Sequence, residues 1–146
     1  MRAVVQRVKK TTLSVDGALI SEIPFGLTVF LGIKSGDTEK QADYIAKKIA
    51  GLRIFEDENG KMNLSVKDVG GEVLLVSQFT LYGDASKGNR PSFTLAEHPE
   101  KAEPLYEYAV RALQAYDIPV KMGVFGADMK IEQFNDGPVT ILLEME

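Results

Sequence analysis

Ser77-Gln78-Phe79-Thr80 gathers two hydroxyls, an amide and an aromatic face where an apolar run, Glu72-Val73-Leu74-Leu75-Val76, gives way to polar sequence. Polar groups at the end of a buried strand are well placed to meet a ligand. For any single such residue, a hydroxyl that caps a local turn is the commoner role. A second cluster, Ser86-Lys87-Gly88-Asn89-Arg90-Pro91, sets two cations around a glycine on a net-acidic chain. It fits either a phosphate contact or a solvated loop. The third feature is Asn135-Asp136-Gly137-Pro138, between the strand-like runs 129–134 and 139–145. Asn or Asp before Gly suits a hairpin turn, but a proline where a ladder should begin does not. The step is either a rigid turn or a device that presents backbone carbonyls.

Other chemistries are restricted. The chain has no cysteine, so disulfides, thiol catalysis and thiolate metal sites are all absent. His98 is its single histidine, in Glu97-His98-Pro99. A Ser-His-Asp triad would need it beside Ser77 or another hydroxyl, and one histidine is a poor basis for zinc. Neither common phosphate-binding glycine motif occurs. Glu56/Asp57/Glu58 and Glu100/Glu103 read as turn and helix-surface charges. No cofactor or metal is expected.

Composition bounds the rest. A chain of 146 residues, 45% hydrophobic and 26% charged, fits one soluble globular domain, residues 1–146. The net charge of −4 provides no global attraction to nucleic acid or anionic membrane, so any such contact must be local. No run approaches a membrane span and the opening residues lack a signal-like apolar stretch, so a cytoplasmic location is expected.

Several elements must position these groups. Residues 2–8 alternate as a half-buried strand, Thr11 to Val15 continues strand-like, and Asp16-Gly17 signals a hairpin into Ala18-Leu19-Ile20. After the turn Pro24-Phe25-Gly26, the apolar run Leu27 to Ile33 fits a central strand. Asp37-Thr38-Glu39 predicts a helix start, with Ala42, Ile45, Ala46 and Ile49 on one face up to Gly51. Arg53 to Glu56 reads as a strand, followed by the turn Asp57-Glu58-Asn59-Gly60. A second helix is predicted from near Pro99, with Ala102, Leu105, Ala109, Ala112, Leu113 and Tyr116 inward, ending before Pro119. Three short strands are expected near 120–125, 129–134 and 139–145. The pattern predicts an α+β domain, a mainly antiparallel, barrel-like sheet with two flanking helices.

Two long motifs then converge. Ser77-Gln78-Phe79-Thr80-Leu81-Tyr82-Gly83-Asp84, with Gly126-Ala127-Asp128-Met129 and Asn135-Asp136-Gly137-Pro138-Val139-Thr140, closely resembles the D-aminoacyl-tRNA deacylase family. Lys87-Gly88-Asn89-Arg90-Pro91-Ser92-Phe93 looks like the family's loop, and the resemblance extends from Met1-Arg2-Ala3-Val4 onward. It implies hydrolysis of the ester joining a D-amino acid to the 3′-terminal adenosine of tRNA, hence a proofreading role in translation. It implies a homodimer with active sites at the subunit interface. Ser77, Gln78, Phe79 and Thr80 would line the catalytic pocket and Met129 its wall. Gly137 and Pro138, joined by a cis peptide, would enter the partner's site.

The residues themselves offer no obvious nucleophile–base pair. The protein is therefore expected to position an activated ester, with the adenosine 2′-hydroxyl assisting and backbone N–H groups near Phe79 and Thr80 stabilising the oxyanion. The competing version makes the Thr80 hydroxyl the nucleophile. L-substrates would be rejected by collision with the Gly137 and Pro138 main chain, while glycine would be tolerated. Lys87 and Arg90 are the expected tRNA phosphate contacts. Two other classes fit the residues alone: a non-catalytic nucleotide- or nucleic-acid-binding module, and a dimeric structural domain.

Overall fold

The computed structural model describes residues 1–146. Its organising element is β1 (Arg2–Val15), a single long strand where the sequence reads as two pieces. The first half, Arg2 to Val8, pairs antiparallel with β3 (Gly26–Gly32). The second half, Thr11 to Val15, pairs antiparallel with β2 (Ala18–Ile23) across the Asp16-Gly17 turn. Apolar side chains at Ala3, Val5, Val8 and Leu13 are buried, as the alternation requires.

β3 continues the sheet to β6 (Glu72–Ser77) and β7 (Val120–Met122), and both of these pairings are parallel. The sheet is therefore mixed, which corrects the mainly antiparallel expectation. The cause is connection length: helical segments, not short turns, separate β3 from β6 and β6 from β7, and a long crossover allows parallel pairing. The sheet is nearly closed. β2 curls round to β7, where the Ser21 hydroxyl donates to the Met122 carbonyl at 2.5 Å and Lys121 Nζ to the Glu22 carbonyl at 2.5 Å. Inside, Val8, Leu13, Ile23, Leu74 and Val76 form a small core, and the buried hydroxyls of Thr11 and Thr28 satisfy each other at 2.7 Å. A two-stranded hairpin of β4 (Phe55–Glu56) and β5 (Met62–Leu64) stands apart from the main sheet, turning at Asp57–Gly60 as expected.

The two helices cover the other face of the sheet. α1 (Glu39–Gly51) starts with a capping box, Thr38 with Gln41, and buries Ala42, Ile45, Ala46 and Ile49. α2 (Pro99–Gln114) has proline at its first position and buries Ala102, Tyr106, Ala109, Val110 and Leu113. Tyr116, assigned inward from the sequence, lies beyond the helix end and is exposed. Tyr106 crosses the core instead and donates its hydroxyl to the Leu75 carbonyl at 2.6 Å, and burial pushes its pKa up to about 12. The larger core fills the space between these helices and the sheet.

The largest departure from expectation is at 129–145. These residues do not form two strands around a hairpin. They form one strand, β8 (Lys130–Glu144), running antiparallel along the free edge of β1. Val8 faces Asn135 and Gln6 faces Thr140, so residues 136–139 bulge out opposite Arg7 alone. The Gly137–Pro138 peptide within the bulge is cis. Gly137 has φ +130, and a Cβ there would lie 2.8 Å from the Val139 nitrogen. Only glycine fits.

Arg7 explains how the bulge is held. Its side chain is 8% exposed, and Nη1 donates to the Ile54 carbonyl at 2.7 Å. Nε donates to the Asp136 carbonyl at 3.1 Å and lies 3.4 Å from the Asp136 carboxylate. One guanidinium thus ties β1, the segment after α1 and the β8 bulge together. Removing it in Arg7→Ala strands a buried carbonyl, and the expected loss is about 2–3 kcal/mol of stability. Guanidinium chloride unfolding should show a lower midpoint with an unchanged slope.

Candidate active site

β6 leaves the sheet at Ser77 and the chain turns at once into a single 3-10 turn, Phe79–Tyr82. That change of geometry carries Ser77, Gln78 and Phe79 to the rim of a cavity of about 550 Å3. The Gln78 side-chain amide donates to the Thr80 hydroxyl, which ties the two polar side chains together at the surface. The N–H groups of Leu81 and Gly83 close the 3-10 turn on the Gln78 and Thr80 carbonyls, while those of Phe79 and Thr80 stand at its N-terminal end, where the turn itself supplies no acceptor.

The cavity is mostly apolar. Leu31, Ile33 and Val76 form its floor from the sheet, with Ala102 from α2. Phe125, Gly126, Ala127 and Met129 form the wall that leads from β7 into β8. Met129 sits close against Gly123, where a Cβ would approach its sulfur to 2.7 Å. The far wall is the segment 93–99, stitched to the end of β3 by bonds from Ser35 N–H to the Leu95 carbonyl and from Glu97 N–H to the Ile33 carbonyl, both at 2.9 Å. The Glu97 carboxylate accepts from the Gly36 N–H at 3.1 Å and the His98 N–H at 2.9 Å. These backbone bonds hold its pKa below the usual carboxylate range.

His98 therefore reaches the cavity, as a triad would require, but without a triad's connections. Glu97 accepts from its backbone, and no hydrogen bond links the imidazole to Ser77 or to a carboxylate. Nor does any group of three or more acidic or histidine residues have the arrangement of a metal site. The arrangement offers backbone amides, a hydroxyl, a side-chain amide and aromatic surface around a mostly apolar pocket. Such groups can bind and polarise a carbonyl ester without covalent participation.

The sequence-singled residues fall into three places. Ser77, Gln78, Phe79 and Met129 converge on the cavity, with Thr80 just outside its lining. Lys87 and Arg90 stand on an exposed loop whose base is closed by paired backbone bonds between Asp84 and Ser92, at 2.8 and 2.9 Å. Neither cation forms an ion pair with an acidic residue. Gly137 and Pro138 do not line this cavity; they are exposed on the β8 bulge. Phe93, Glu97 and Phe125 were missed in sequence. Isolated residues in irregular segments carry no periodic signal, and only the fold brings them to one wall.

Comparison with known proteins agrees with the motifs. Residues 4–144 match the model of the family described as D-Tyr-tRNA(Tyr) deacylase. The chain is 58% identical to a D-aminoacyl-tRNA deacylase of Koribacter versatilis, over 99% of this chain and 97% of that protein. It is 55% identical to one of Bacillus cereus, over 99% of both chains. Among solved structures it is similar to the c-Myc DNA Unwinding Element Binding Protein, with TM-score 0.93 and 45% identity over 100% of this chain and 99% of that one. A probable eukaryotic D-amino acid tRNA deacylase shares the fold at TM-score 0.86, with 16% identity over 99% and 98% of the two chains. The chain belongs to the D-aminoacyl-tRNA deacylase family, hydrolases acting on the ester of aminoacyl-tRNA.

Proposed function

We propose that this deacylase cleaves the D-aminoacyl ester mainly by positioning it, and that a second copy of the chain supplies the surface that excludes L-substrates. The observation that carries the reading is the pair of N–H groups at Phe79 and Thr80, at the N-terminal end of the 3-10 turn beside Ser77 and Gln78, at a cavity without a nucleophile–base pair. Two convergent amides stabilise the oxyanion that forms when water attacks the ester carbonyl. The 2′-hydroxyl of the terminal adenosine, adjacent to that carbonyl, assists the attack. The Thr80 hydroxyl already accepts from Gln78 and has no base to activate it.

The contribution of a second copy is supported by the distribution of apolar surface. Leu142, Val4, Phe30 and Val76 are successive cross-strand partners, so they form a row over β8, β1, β3 and β6. Leu142 is 77% exposed, yet Val76 at the other end lines the cavity. A two-fold axis through this row exchanges its ends. It lays the β8 side of one subunit, with its bulge, over the cavity side of the other. Gly137 and Pro138 then offer carbonyls to the substrate ammonium group and crowd the side where an L side chain would project. Such rejection reads no particular side chain, so many D-residues are accepted, and glycine escapes the collision. Lys87 and Arg90 take the phosphates of the tRNA end.

D-tyrosyl-, L-tyrosyl- and glycyl-tRNA, assayed side by side, test the filter: D and glycyl esters should be hydrolysed and the L ester spared. Glycyl hydrolysis as slow as the L reaction would rule out collision as the basis. Thr80→Ala should keep activity within about tenfold, whereas a 2′-deoxy terminal adenosine should slow hydrolysis about a hundredfold or more. The opposite pattern would make Thr80 the nucleophile. Replacing Lys87 and Arg90 by Gln should lower the slope of log affinity against log salt by about 1.4, the value for two single-strand phosphate contacts.

A further inference from the structure

Gln6 and Arg7 are neighbours on β1, so their side chains leave opposite faces of the sheet. Arg7 grips the β8 bulge at Asp136 from one face. Gln6 works on the other. Its Nε2 donates to the Thr140 hydroxyl at 3.3 Å, and its Oε1 accepts from Gln133 Nε2 at 2.7 Å. The same Gln133 nitrogen donates its second N–H to Asn135 Oδ1 at 2.7 Å. Asn135 is the last residue paired with β1 before the bulge, and Thr140 is the first paired after it. The chain Thr140–Gln6–Gln133–Asn135 therefore forms a clasp of side chains across the neck of the bulge. Gln133 keeps this orientation although its own Oε1 is buried without a donor. An unpaired buried acceptor is unfavourable, so the two bonds its nitrogen makes must outweigh it.

We infer that Gln6 and Gln133 set the D-over-L selectivity of the reaction by fixing the tilt of the Gly137–Pro138 main chain. The inference rests on the collision reading above and adds to it the residues that stiffen the colliding surface. A bulge gripped at one residue can still tilt about that point, and a tilt carries its main chain away from an L side chain. Joining residues 135 and 140 through Gln6, on the face opposite Arg7, removes this freedom. Neither glutamine lines the cavity, so both are positioning residues that act through the bulge. A D side chain does not press on the bulge, so hydrolysis of D-esters does not depend on the clasp. An L side chain does press on it, and its exclusion lasts only while the bulge cannot yield.

Two variants test this. Gln6→Met and Gln133→Met keep the length of the side chain and remove its hydrogen bonds. Each should leave kcat/KM for D-tyrosyl-tRNA within about twofold and raise that for L-tyrosyl-tRNA about tenfold, the effect of losing one or two net hydrogen bonds. A general weakening of the fold would lower both rates together, so a change in their ratio reports the tilt of the bulge and not stability. The double variant should be no less selective than either single one, because all the bonds belong to one clasp. Should one variant fail to fold, the other carries the test. An unchanged D/L ratio, or an equal fall in both rates, in a folded variant overturns the role of the clasp. The two readings fail separately. If the unaltered protein hydrolyses D- and L-esters alike, the collision itself is wrong. If it discriminates and the variants discriminate as well, only the clasp is wrong.

Discussion

A strand inside a sheet must satisfy hydrogen bonds on both edges, and β1 imposes this requirement over fourteen residues. One edge is divided between β3 and β2, and the other is taken by β8. Because β3 and β2 follow one another along the same edge, the sheet must curl, and the curl brings β2 round to β7 and nearly closes it. Both groups of proposed site residues are attached to this arrangement. β3 orders β6, whose end carries Ser77 to Thr80, and β8 carries the Gly137–Pro138 bulge along the opposite edge.

The bulge shows how a local irregularity is made part of the fold. Where residues 136–139 depart from the ladder, β1 lacks main-chain partners opposite them, and Arg7 compensates with its side chain. The guanidinium is also bound to the Ile54 carbonyl, so the bulge is tied to the structure beneath it and does not move as an independent loop. Its position is set by a buried interaction, while Gly137 and Pro138 themselves stay exposed. The collision proposed for L-substrates needs a rigid surface of this kind, since a compliant one would yield to the side chain.

The cavity follows a different logic. Its floor belongs to the core, its polar rim to the strand exit, and its outer wall to a segment with no regular structure, 93–99. Backbone bonds to residues 33–36 and the Glu97 carboxylate give that wall its definition. The pocket therefore combines a stiff apolar base with a polar rim at the start of the 3-10 turn. That balance suits an ester that needs orientation and charge stabilisation more than an added nucleophile.

Some of this was written locally in the chain. The cap at Thr38, the stripe Ala42-Ile45-Ala46-Ile49, the proline start of α2 and the Asp16-Gly17 hairpin depend on neighbouring residues, so their signals survive in one dimension. The motif Ser77–Thr80 was legible because a polar group ends an apolar run. The sequence misled at Asn135–Pro138, where turn-forming residues suggested a reversal. Turn chemistry reports local bending, but whether the chain reverses or rejoins the same neighbour depends on Arg7, more than a hundred residues away. The parallel pairing of β3 with β6, the meeting of Phe79 with Phe93, and the wall built by Glu97 and Phe125 are likewise products of long-range packing. The sequence by itself determined which groups are available for chemistry and which segments bury their faces. The tertiary structure alone decided which of those groups meet, because pairing between distant strands is set by the joint burial of both faces and not by either segment alone.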